Sequence, residues 1–191
     1  MPGQRTSKEE TWNSITHLFG FVVCFFYLLD GSTGTKILSL FMMLTFAFSV
    51  LYHSSPRGET KDYFRMLDMA SIHLSTAGTS IAYSVHMGGG FWGCAIPIIV
   101  GTCGCQYVLS LYGKEVFEKT AVLACVTTGI LCLCSVVCIQ DNSNSIIYFI
   151  LGCLTYLLGL FFYIREDKLF YHTVWHVFVL FATYIHILGT M

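Results

Sequence analysis

The sequence predicts an all-α integral membrane protein, a seven-transmembrane helix bundle with its N-terminus cytoplasmic and its C-terminus on the opposite side. Three observations carry that expectation. Of the 191 residues, 55% are hydrophobic and only 11% are charged, against about 25% charged in a soluble domain. The apolar residues fall into seven runs of helical length separated by short polar segments. The basic residues fall almost entirely on alternate segments, as the positive-inside rule demands of a chain that crosses a bilayer repeatedly. The net charge is -1 and no basic block is present, so nucleic acid is not an expected partner.

The chain reads as a single seven-transmembrane domain over 1–191, with spans at about 14–29, 37–53, 66–85, 91–112, 120–139, 145–164 and 170–188. The first span follows a short polar N-terminus and is closed by Asp30-Gly31-Ser32-Thr33-Gly34. Its 16 residues rise about 24 Å as a helix, a little short of the ~30 Å hydrocarbon layer, and starting at Trp12 lengthens it. The second span ends at His53, and a charged loop over 54–65 leads into the third, which closes on the glycines 88–90. Pro97, Gly101 and Gly104 in the fourth predict a kink or close packing. Polar residues 113–119 precede the fifth span, 140–144 the sixth and 165–168 the seventh. Runs this long suit helices. Barrel strands would span roughly 9–11 residues and alternate in polarity.

Seven antiparallel spans put the N-terminus and the loops after spans two, four and six on one side. Arg5, Lys8, Arg57, Lys61, Arg65, Lys114, Lys119, Arg165 and Lys168 lie there, against Lys36 alone on the other. That side is cytoplasmic, an orientation opposite to that of G-protein-coupled receptors. Arg5 and Lys8 are followed by Glu9 and Glu10, and no small-residue cleavage site follows Leu29, so no cleaved signal peptide is expected. The protein is expected in the plasma membrane or an internal membrane. All nine cysteines sit in apolar runs, where Cys packs as a small hydrophobe. The spacing of Cys132, Cys134 and Cys138 leaves a soft-metal site as the alternative.

Topology decides which polar residues share a depth. His53 ends the second span, Asp68 lies in the first turn of the third, and His172 and His176 lie in the first two turns of the seventh. All four therefore converge near the cytoplasmic face. His172 and His176 are four apart, which on a helix puts them on one face with Cβ atoms roughly 5–6 Å apart. Two histidines in an apolar helix are by themselves more often packed core residues. Three neutral imidazoles with one open position match a catalytic zinc centre, although iron or manganese also suits such a ligand set. Asp68 is the only acid between Asp62 and Glu115, and an ionisable group inside a span calls for a partner. It could orient or deprotonate a water, and Ser49, one turn before His53, could donate to a developing oxyanion. The competing readings are an acid favoured by the helix dipole and a serine bonded to its own helix. His73 is five residues after Asp68 and should point elsewhere, and His86 and His186 belong to the far side. Asn13 and His17 are at the right depth and are expected to act as interfacial caps, the alternative being that they brace the ligands from behind. A site opening to lipid or cytoplasm suggests a lipid substrate or ligand.

Several stretches resemble the haemolysin III group of the progestin and adiponectin receptor (PAQR) family, which is related to the alkaline ceramidases. They are Glu10-x-x-Asn13-x-x-Thr16-His17, Ser49-x-x-x-His53, Arg65-x-x-Asp68 followed by Ala77-Gly78-Thr79, and His172-x-x-Trp175-His176. The resemblance covers the whole chain. It implies a seven-helix bundle with zinc held by His53, His172 and His176, and Asp68 and Ser49 as the pair that handles water. A ceramidase-like activity follows by the same analogy. The chain departs from the family pattern with Met69 after Asp68, where many members have His, and with His73, where an aromatic is common. It carries no long cytoplasmic N-terminal domain, which argues against a large protein hormone as ligand. Three readings of function stand at this point. One is a zinc-dependent hydrolase of a lipid amide, one a signalling receptor with structural zinc, and the least supported a pore-forming cytolysin.

Overall fold

The computed structural model of the protein describes residues 5–139 and 144–191. They form seven helices: α1 (Ser7–Asp30), α2 (Thr33–Ser54), α3 (Glu59–His86), α4 (Phe91–Ser110), α5 (Phe117–Val137), α6 (Ser145–Ile164) and α7 (Tyr171–Thr190). Six are long and apolar enough to cross a membrane, and with α3 they make the multi-pass bundle that the sequence predicts. The exception is informative. α3 packs against α2, α4, α5 and α7, so it faces protein rather than lipid. Its buried residues include Ser71, Ser75, Thr79, Ser80 and Ser84, small hydroxyl residues that let helices approach closely in a bilayer. At Gly78 a Cβ would meet the Phe41 ring at 2.2 Å, so only glycine fits where α2 crosses.

Two expectations change at helix starts. α1 begins at Ser7, not 14, because Thr6 and Glu9 form a capping box: Glu9 N–H donates to Thr6 Oγ1 at 3.2 Å, and Thr6 N–H donates to Glu9 Oε2 at 2.8 Å. α3 begins at Glu59, within the segment read as loop, because Glu59 and Asp62 favour a helix N-terminus. In α4 close packing is what Gly101 and Gly104 provide, since Cβ atoms there would press on Ala77 and on His73 of α3. The expected 140–144 loop falls largely on residues 140–143, outside those described.

Both ends of α7 are tied to the start of the chain. At the inner end the other Glu9 carboxylate oxygen accepts from the Phe170 N–H at 2.7 Å. Phe170 has φ 62, a left-handed conformation costing about 1–2 kcal/mol for an L-residue, which that charged hydrogen bond helps to offset. At the outer end the α2 cap Ser32 and the next-turn Thr35 both donate to the Thr190 carbonyl, Thr35 at 2.8 Å. On the opposite flank α5 and α6, consecutive in the chain, barely touch among the described residues. A cavity of about 340 Å3 lies behind them, walled largely by apolar side chains from α3, α5, α6 and α7.

Candidate metal centre

His53 sits in the last turn of α2, and His172 and His176 in the first two turns of α7. They are 3%, 6% and 1% exposed, and each offers one ring nitrogen within 4.8 Å of the others. Among the described residues this is the one cluster able to hold a metal ion. Cys132, Cys134 and Cys138 do not converge: Cys132 is buried while Cys134 and Cys138 are exposed.

Each imidazole is fixed through Nδ1. His53 Nδ1 lies 2.6 Å from Glu10 Oε2, and the other Glu10 oxygen pairs with Lys61 at 3.2 Å. His172 Nδ1 lies 2.8 Å from Glu166 Oε2. His176 Nδ1 reaches the Asn13 carbonyl at 3.1 Å and the Thr16 hydroxyl at 3.2 Å. A carboxylate or carbonyl can only accept, so each Nδ1 carries the hydrogen and each Nε2 keeps its lone pair. The Nε2 atoms of His53 and His172 are buried without a partner. An unmet buried acceptor costs about 1–3 kcal/mol, and two of them beside a third imidazole are what a metal ion would satisfy. The donor set and the two unpartnered Nε2 atoms therefore fit a bound metal.

A further ring of contacts holds the acids. Arg5 donates to the Tyr52 hydroxyl at 2.9 Å and to Glu166. Arg5 also comes within 3.0 Å of His172 Nδ1, but both groups carry hydrogens, so the shared Glu166 oxygen accepts from both. Burial works against the Arg5 charge, but Tyr52 and Glu166 outweigh it and hold its pKa above the usual value. Asn13 closes the ring, with its side-chain carbonyl accepting from Thr173 at 2.6 Å.

Asp68 lies on the wall of the cavity together with His172 and His176. Ser49 is fully buried on α2, one turn before His53, and its hydroxyl has no hydrogen-bond partner among the described residues. The three histidines expected at one depth do converge, and Asp68 shares the cavity wall with two of them. His73 points away, as its helix angle predicts, and binds Thr128 of α5. His186 stays in the outer half against Tyr83, Phe149 and Tyr156.

Asn13 and His17 are not interfacial caps. Thr6 is the cap, so both lie inside α1, buried at 0% and 4% exposure. His17 stacks on His176 with ring centroids 3.7 Å apart. Glu10, Asn13 and His17 recur at i, i+3 and i+7, one face of a helix, and that period was the available signal for the α1 contribution. Arg5 and Glu166 were missed, since both lie outside the apolar runs and only the fold brings them to the site.

The geometry defines a class, a multi-pass membrane protein with a buried three-histidine cluster at one end of its helix bundle. The chain belongs to the haemolysin-III related family, whose pattern matches residues 5–187; this is the PAQR family of the sequence resemblance. It is similar to Hemolysin-3 of Bacillus cereus, 24% identical over 188 residues, which span 91% of this chain and 86% of that protein. It is also similar to a Hemolysin-3 homolog of Bacillus subtilis (strain 168), 26% identical over 192 residues, 92% of this chain and 89% of that one.

Proposed function

We propose that this protein is a zinc-dependent hydrolase that cleaves a lipid amide, ceramide-like in its chemistry, within the membrane. The observation that carries the reading is the pair of buried, partnerless Nε2 atoms next to a cavity that also presents Asp68. His53, His172 and His176 would hold the ion. Zinc there would supply Lewis acidity and lower the pKa of water to near neutrality.

The residues divide the remaining work. The apolar wall accepts the lipid chain and excludes bulk water, and that chain would enter between α5 and α6, which barely touch among the described residues. Asp68 takes the proton from the attacking water and returns it to the departing amine. Ser49, one turn before His53, would donate to the developing oxyanion. Glu10, Glu166 and the Asn13 carbonyl keep three imidazoles in one tautomer.

The test is hydrolysis of a short-chain ceramide by purified, metal-loaded protein. Asp68→Ala should abolish turnover with metal content unchanged. Normal turnover by that variant would remove Asp68 from the mechanism, and an inactive loaded wild type would remove the hydrolase reading. One observation favours a receptor with a structural ion: the histidines bridge α2 and α7, which touch each other over only a short stretch. On that reading chelation lowers the melting temperature in detergent and no lipid is cleaved. The relatives' names point to haemolysis, and dose-dependent dye release from liposomes bearing the purified protein would support it.

A further inference from the structure

A second constellation lies in the membrane outside the histidine cluster. Cys125 and Thr128 are three apart on α5 and so share a face toward α3. Between them sits His73, fully buried. Its Nδ1 is 2.8 Å from Thr128 Oγ1, and its Nε2 is 3.4 Å from Cys125 Sγ. In the tautomer whose Nδ1–H donates to the threonine hydroxyl, Nε2 is free to accept from the thiol. This is the arrangement of nucleophile, base and orienting group that activates a thiol. The ring has nowhere else to go: a Cβ at Gly104 of α4 would lie 2.2 Å from His73 Nδ1.

The thiol also has access. Cys125 lines the apolar cavity. One turn further along, Gly129 lines it too, and a Cβ there would meet nothing within 4 Å, so the wall beside the sulfur is open. Cys132 and Cys153 line the same cavity, but among the described residues Cys125 is the cysteine bonded to an imidazole.

We propose that Cys125, His73 and Thr128 form a nucleophilic thiol site in the cavity wall that captures long-chain α,β-unsaturated carbonyl lipids. Sulfur attacks the β-carbon while the thiol proton passes to His73 Nε2. The carbon–sulfur bond forms, the carbon–carbon double bond becomes an enolate, and the α-carbon takes the proton back from His73. No leaving group and no oxidant is needed. Conjugate addition suits the site better than acyl transfer, because the backbone N–H groups around Cys125 are engaged within α5 and cannot form an oxyanion hole.

The experiment treats full-length protein in lipid nanodiscs with a limiting amount of an alkyne-tagged C16 2-alkenal. Borohydride then fixes the adducts, and mass spectrometry maps them. It reads no hydrolysis, so its failure is separate from failure of the hydrolase reading. Cys125 should be the dominant adduct, and the labelling rate should fall about 100-fold or more in His73→Gln, the size of a lost general base. Thr128→Val should fall between. If His73→Gln does not elute as a monodisperse species, Gly104→Ala, which displaces the ring and keeps the thiol, should show the same loss. Equal labelling of Cys125, Cys132 and Cys153 would overturn the proposal. So would an unchanged rate in well-folded His73→Gln, or equal labelling by a three-carbon enal that gains nothing from the cavity.

Discussion

The two halves of α7 both bury histidine, and to opposite ends. In the inner half, His172 and His176 have Nδ1 against acceptors, and the His172 Nε2 is left empty. In the outer half, His186 is equally buried but packs among three aromatic rings, its Nδ1 3.4 Å from the Tyr83 hydroxyl. A Cβ on Gly152 would fall 2.4 Å from its Nε2, so a helix backbone fills the space where an ion would have to sit. Burial alone therefore does not distinguish a ligand from a packing residue. An acceptor behind one nitrogen and nothing in front of the other does.

Substitutions in the two halves should separate most widely in metal content. His172→Ala should lose the ion, taking metal analysis of purified protein from one per chain to none. His186→Ala should keep it while destabilising the bundle by roughly 2 kcal/mol, read as a lower melting temperature in detergent. Metal loss in both would erase the contrast. A smaller effect tests the acceptors: Glu10→Gln or Glu166→Gln should weaken metal affinity about 10–100-fold, the range for groups that orient a ligating imidazole, in a chelator competition. An unchanged affinity would mean that packing, not the acids, sets the tautomers. Independent of metal, and with no change in its content at all, Gly78→Ala should cost about 1–3 kcal/mol of stability through its clash with Phe41.

Much of this was legible from residue order. Span count came from apolar runs, orientation from nine basic residues against one, and depth from those two together. Depth was enough to group His53, Asp68, His172 and His176. It failed where hydropathy and local structure part company. α1 and α3 begin in polar sequence because capping groups start helices outside the hydrocarbon layer. Asn13 was read as a cap because the apolar run starts next to it, whereas the helix starts two turns earlier. Glu166 follows a span that ends at Ile164, and nothing local to it points at a histidine. Its role depends on Arg5, more than 160 residues away in sequence.

That separation bears on how the protein is made. Arg5, Glu9 and Asn13 leave the ribosome well before their partners Glu166, Phe170, Thr173 and His176. Until α7 docks, Glu9 and Asn13 have no acceptor or donor from the far end, and the histidine cluster does not exist. The clasp between α1 and α7 can therefore close only after nearly the whole bundle has been made.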